Sequence, residues 1–274
     1  MNLEKGSVKM KIKLDGVMET LLITLYIRAK DAESPKPYLG DNKSREIIQQ
    51  IDYDFSKFEM AKGSYYGTLA RIRVMDREVK KFIEKHPTAK IISIGCGLDS
   101  RFERVDNGQI HWYNLDFPEV MEKRRLFFAP HERVFDIAGS ALERDWTAQV
   151  AKDERPLLII SEGVLMYFKE EEVKTFLENL VAAFDQFEAQ FDLSHKLLVK
   201  RGKRHDTLKY MNTEFYFGVT DGSELTKLVP ELKQIGLINF TTEMRKLDIG
   251  WFRVFLPFFY YCNNRLGIYV YKRK

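Results

Sequence analysis

The sequence predicts an α/β fold: a mostly parallel, seven-stranded sheet with an antiparallel last strand, helices on both faces and a helical N-terminal cap. Three observations predict it. Up to about His86 the apolar residues recur at helical spacing. From Pro87 onward short apolar runs alternate with helical stretches, the pattern of strands joined by crossover helices. The last two apolar runs are separated by a turn with no full helix between them, so the final strand is expected to return antiparallel.

The first helical stretches are Thr20 to Lys30, "SREIIQQI", and a long segment from Thr68 to Lys85. In the last of these Leu69, Ile72, Met75, Val79, Phe82 and Ile83 form one apolar face. Asp76 falls inside that arc and Arg71 on its flank. A carboxylate on a buried face needs a partner, and a structural salt bridge is expected for it.

The strands are "KIISIG", "IHWYNLD", "RVFDIAG", "PLLIISEG" and "AQFDLS", with helices at "PEVMEKRRLFF" and "KEEEVKTFLENLVAAF". "INFTTEMR" and "LGIYVYKRK" read as the last two strands, joined through "CNNRLG". The expected division is a helical cap at 1–86 and a core at 87–274, with a helical lid inserted at about 196–236.

Composition is that of a soluble globular protein, 45% hydrophobic and 31% charged. The 44 basic and 40 acidic residues are well mixed, so neither nucleic acid nor a membrane is expected as a partner. The two cysteines, Cys96 and Cys262, supply no disulfide framework and no metal cluster. The N-terminus lacks the apolar core of a secretory signal, and "LLITLYI" and "WFRVFLPFFYY" are too short to span a bilayer. A cytoplasmic protein is expected, and a homo-oligomer is left open.

The first strand ends in "GCGLDS". Gly95 and Gly97 have no Cβ, so the chain can bend sharply there and a ligand can lie against its backbone. A bare strand-to-helix turn is the alternative. Asp116, 21 residues beyond Gly95, ends the second strand. That is close to the ~20-residue spacing of an acid that binds ribose hydroxyls, although a strand-end acid facing solvent has the same spacing. Ser100 stands where a nicotinamide fingerprint has a third small residue, which leans against a pyrophosphate ligand. A nucleoside without phosphates, such as S-adenosylmethionine, fits the same turn and acid. Glu162 and Gly163 close the fourth strand on the ligand side, placed either to accept from an ammonium group or simply to end the strand.

Five segments together resemble the leucine carboxyl methyltransferase and polyketide-synthesis O-methyltransferase family. They are "ETLLITLYIRAKDAE", "QIDYDFSKF", "RIRVMD", "IISIGCGLDSRFERVDNGQIHWYNLDFPEV" and "IISEGVLMYF". The likeness runs from about Glu19 to Asp192 and is nearest to the small-molecule, polyketide-type branch. It implies a Rossmann-like class I methyltransferase fold with S-adenosylmethionine as donor. By this resemblance Arg71 would hold the methionine carboxylate, a task suited to a guanidinium fork, and Asp76 would orient the local helix. Gly95 and Gly97 would lie under the methionine and ribose. Asp116 would bind the ribose hydroxyls, Phe117 would lie against the adenine and Glu162 would sit near the amino group. The family's adenine contact is an acid after the third strand. Here Ser140 stands at that place and Ala141 offers a backbone amide, with Glu143, Asp136 or Asp145 as substitutes.

Methyl transfer from a sulfonium is a direct displacement, so alignment and exclusion of water dominate; positioning of this kind supplies roughly 7–11 kcal/mol in favourable cases. A carboxylate acceptor needs no base, whereas a phenol or alcohol benefits from one. His86, His111, His131, His195 and His205 have no motif spacing, and none is named as catalytic. The aromatics Tyr210, Met211, Phe215, Tyr216 and Phe217 in "LKYMNTEFYFGVTDG" read either as a wall for a flat substrate or as a helical cap with its own buried face, the second being preferred. "WFRVFLPFFYY" reads as sheet core or a dimer contact. The leading expectation is methylation of a hydroxyl or carboxyl oxygen of a small polyketide-like or aromatic molecule. Protein C-terminal carboxyl methylation and non-catalytic binding of the donor stand as alternatives, and a nicotinamide oxidoreductase is disfavoured.

Overall fold

Strand-forming runs with almost every side chain buried demand cover on both faces, and the structure supplies it. A computed structural model describes residues 9–12, 14–199 and 213–274. The strands are β1 (Lys90–Ile94), β2 (His111–Asp116), β3 (Val134–Ala138), β4 (Leu157–Ser161), β5 (Gln186–Leu193), β6 (Lys233–Asn239) and β7 (Arg265–Lys272). They form one sheet in the order β3-β2-β1-β4-β5-β7-β6. β1 to β5 pair in parallel, while β7 runs antiparallel to both β5 and β6. The order reverses at β1, and crevices for ligands form outside the carboxyl ends of strands at such a point.

Residues ahead of β1 form α1 (Leu21–Ala32), α2 (Asn42–Gln50) and α3 (Lys62–Lys85). Asp41 starts α2 by accepting from the Ser44 amide at 3.0 Å. The C-terminal half of α3 belongs to the sheet core: Val74, Met75, Val79, Phe82 and Ile83 pack on Ile91, Trp112, Leu158 and Ile160. Its N-terminal half joins the cap, where Leu69 and Ala70 meet Ile23, Ile27, Met244 and Leu247. One helix therefore spans cap and sheet.

After β1 come α4 (Arg101–Val105), then α5 (Pro118–Phe127) after β2 and α6 (Glu170–Ala183) after β4. Pro118 opens α5 with its φ already set for a helix, so the chain turns directly after Asp116. Phe176, Leu177 and Leu180 of α6 cover the other sheet face with Ile92, Ile159 and Phe191.

The C-terminal region differs from expectation. Of the expected insertion, residues 200–212 lie outside the described residues; α7 (Lys196–Val199) and α8 (Ser223–Leu228) flank them. β6 begins at Lys233, inside the expected lid. The segment read as a strand, "INFTTEMR", mostly is not one. The strand stops at Asn239, whose Oδ1 accepts from the Thr241 amide at 2.9 Å, and α9 (Thr241–Met244) follows. A 3-10 stretch, Gly250–Phe255, and α10 (Leu256–Cys262) then precede β7, so "WFRVFLPFFYY" is helical and not sheet core.

Candidate functional site

The β1 turn is built around two glycines in the left-handed region. Gly95 has φ +65°, and a Cβ there would stand 2.2 Å from Val164 Cγ2; Gly97 has φ +50°. No other residue fits the first position. The Gly97 amide donates to Asp116 Oδ2 at 2.7 Å and the Phe117 amide to Oδ1 at 2.8 Å, so the end of β2 is tied to the turn. Burial pushes the Asp116 carboxyl above its ordinary value, against these two amides.

Beneath the turn lies a network of buried ions. Arg71 Nε donates to Glu162 Oε1 at 2.9 Å and Nη1 to Asp192 Oδ2 at 3.1 Å. Arg101 pairs with the other Glu162 oxygen and donates from Nε to Asp76 Oδ1 at 2.6 Å. Arg104 takes Asp76 Oδ2 at 2.7 Å, and Asp99 lies 2.9 Å from Arg101 and 3.3 Å from Arg104. Burial alone would raise the Glu162 carboxyl, but Arg71 and Arg101 hold it below the usual range. Asp192 goes the other way: burial pushes it up to about 6 although Arg71 opposes the shift. Unpaired, any of these groups would be costly; together they fix one arrangement of α3, α4, β4 and β5.

These elements enclose one cavity of about 1140 Å³. Arg71, Gly95, Gly97, Asp116, Phe117, Ser140, Ala141 and Glu162 all line it. The structure thus brings together all eight residues singled out in the sequence. Asp76 is set back from the cavity in the salt bridge expected of it, and Glu143, Asp136 and Asp145 do not line it. Asp136 instead accepts from Asn114 at 2.9 Å. The aromatic residues Tyr167, Phe215, Phe252, Phe258 and Phe259 line the same cavity, with Met244 and Asn264.

Phe215 belongs to that wall, edge-on to Tyr167 at 5.3 Å. Phe217 is core and Tyr216 is exposed. Residues 213–218 are not helical, and the Tyr216 and Phe217 amides donate to the Met166 carbonyl; Tyr210, Met211 and His205 lie outside the described residues. The other four histidines do not line the cavity.

Sequence reasoning gave no role to Arg101, Arg104, Asp99 or Asp192. The first three stand in "LDSRFER", quoted for the family likeness. Asp192 carried no local signal, since its partner Arg71 lies 121 residues away.

The residues fit a nucleoside carrying an amino-acid end. The turn leaves no room for a side chain at Gly95, a carboxylate stands at the end of β2, and a guanidinium flanked by a carboxylate offers complementary charges for a zwitterion.

The family model described as leucine carboxyl methyltransferase matches residues 22–181. The chain is 31% identical to the tetracenomycin polyketide synthesis O-methyltransferase TcmP of Streptomyces glaucescens, over 81% of this chain and 82% of that one. It is 32% identical to the S-adenosyl-L-methionine-dependent methyltransferase dpfgK of Gibberella zeae, over 93% and 91%. Among solved structures it is similar to a DUF574 family protein from Streptomyces avermitilis, with TM-score 0.60, 12% identity and coverage of 92% and 97%. It is also similar to magnesium protoporphyrin IX methyltransferase from Synechocystis with bound SAH, with TM-score 0.51, 13% identity and coverage of 86% and 94%. Both structural likenesses bear on the fold alone.

Proposed function

The chain belongs to the leucine carboxyl methyltransferase family, and from that membership we propose that it methylates a hydroxyl or carboxyl oxygen of a small, flat, polyketide-like or aromatic molecule. It is an S-adenosylmethionine-dependent methyltransferase with a class I fold. The acceptor and the roles of individual residues are the proposal. When bound, the donor supplies a methyl group already activated on a sulfonium.

Arg71 would hold the donor's carboxylate and Glu162 its amino group. Asp116 would accept from the ribose hydroxyls, and Gly95 and Gly97 would lie against the donor. Phe117, Ser140 and Ala141 would flank the adenine. Residues 1–86 would act as a cap over this site, with the segment from about 196 as part of the acceptor's cover.

One observation carries the choice of acceptor. The cavity is larger than the ~300–1,000 Å³ of ordinary ligand pockets, and Phe215, Phe252, Phe258 and Phe259 line it together with the proposed donor residues. Those rings suit a flat apolar ring system bound beside the donor. The name of the relative TcmP, a polyketide synthesis O-methyltransferase, agrees with such an acceptor.

The test is transfer of labelled methyl from S-adenosylmethionine to a panel of polycyclic phenols, aromatic carboxylic acids and a peptide ending in leucine. Turnover is expected with a polycyclic member, and Phe259→Ala is expected to raise KM about tenfold or more with donor affinity unchanged. Turnover confined to the peptide would overturn the reading.

A further inference from the structure

Apart from Arg253, the segment Trp251–Cys262 carries apolar and aromatic side chains on both its inner and outer faces. Phe252, Leu256 and Phe259 turn inward, Leu256 into the core and the two phenylalanines onto the cavity. Trp251, Val254, Phe255, Phe258 and Tyr261 follow the spacing i, i+3, i+4, i+7, i+10 and turn outward, with exposures of 69, 72, 44, 55 and 73%. A helix hydrophobic all round is ordinarily covered on all sides. Among the described residues nothing covers the outer face of this one, and a contiguous exposed patch of this kind marks an interaction surface.

The charges around the patch identify what fits it. Lys62 lies 5.9 Å from the Trp251 ring and Arg245 5.5 Å from the Tyr260 ring. Arg253 lies in the segment itself and is exposed, as are the carboxylates of Asp248, close by in sequence, and of Glu59, ahead of Lys62. In a symmetric dimer this surface would meet its own excess of cations. Trp, Tyr and Phe rimmed by Lys and Arg are instead the composition of a segment lying in a lipid interface. The same segment also lines the cavity, and Phe258 is both exposed and cavity-lining.

We propose that the outer face of Trp251–Cys262 docks on an anionic lipid surface, with the cavity wall against the membrane so that an apolar acceptor can pass from bilayer to site. No membrane partner was expected from the sequence, because its charges are well mixed along the chain and no segment is long enough to span. Lying on a bilayer needs only one amphipathic face and cations. The docking stands on the surface alone, whichever oxygen is methylated; the passage of an apolar acceptor rests on the proposed function.

The protein carries its own probe. Of its three tryptophans Trp112 and Trp146 are buried and Trp251 is exposed. The full chain is mixed at low salt with phosphatidylcholine vesicles, with or without phosphatidylserine, and sedimented. Binding to the phosphatidylserine vesicles, a blue shift of tryptophan emission and loss of both at high salt are expected. Trp251→Ser/Tyr261→Ser should weaken that binding on the order of tenfold or more while keeping the wild-type melting shift with S-adenosylmethionine, which shows the variant folded. Absence of vesicle binding by the folded wild type overturns the proposal. So does a concentration-dependent dimer in light scattering that the same variant abolishes, since a second copy would then cover the face.

Discussion

Gly95 shows how much one residue type can decide. Its φ of +65° disfavours any L side chain, and the added Cβ would collide with Val164, which follows β4 on the far side of the turn. The left-handed backbone costs roughly 1–2 kcal/mol and the overpacking about 1–3 kcal/mol more. Gly108 separates the two effects, since it has φ +82° and open space around it. Gly95→Ala is therefore expected to lower stability by about 2–5 kcal/mol in urea unfolding, against about 1–2 kcal/mol for Gly108→Ala. Equal losses would mean that the Val164 contact does not constrain the turn. The glycines and Asp116 were legible in the sequence because each does its work within one turn of a strand end. Asp192 was not, because its meaning comes from burial beside Arg71, and neither neighbour in the chain announces that.

At the scale of elements, α9 is pinned to α3 by one acid. Glu243 accepts from Arg73 at 3.0 Å, from Arg77 at 2.8 Å and from Lys246 at 3.0 Å. Burial would raise its carboxyl, but these three cations outweigh burial and hold it at about 2. A folded-state value below the ordinary one means that the pairing stabilises the fold above about pH 4.5 and is lost as pH falls toward 2. Glu243→Gln is expected to cost on the order of 1–2 kcal/mol at neutral pH, with the gap to wild type closing below about pH 4 in acid-unfolding curves. A gap independent of pH would show that shape, not charge, ties the two helices.

The same region shows where sequence patterns stop. "KIISIG" and "PLLIISEG" were plain because buried parallel strands are continuous apolar runs. β6 is an edge strand interrupted by an irregularity between Gln234 and Gly236, with Ile235 and Leu237 exposed, so no alternation marked it. The Ile238, Phe240 and Thr241 that suggested a strand lie across its end, where the Asn239 side chain turns the chain into α9.

For the molecule as a whole, the sheet order and the N-terminal helices produce one cavity lined by both ionic and aromatic side chains. The alternation of strands and helices predicted a mostly parallel sheet, but neither its strand order nor the joining of cap and sheet around one cavity showed in the chain. It depends on α3 spanning cap and sheet and on α10 returning over the cavity, contacts between residues far apart in sequence. Among the described residues no helix is long and apolar enough to cross a membrane.

The central claim is that the carboxyl ends of β1, β2 and β4 form the donor site. Calorimetric titration with S-adenosylmethionine, with NAD as control, tests it on wild type and Asp116→Ala. Saturable binding of S-adenosylmethionine alone is predicted, weakened about ten- to a hundredfold by the loss of a charged hydrogen-bond acceptor. Binding that Asp116→Ala leaves unchanged, or no binding by folded protein, would contradict the account.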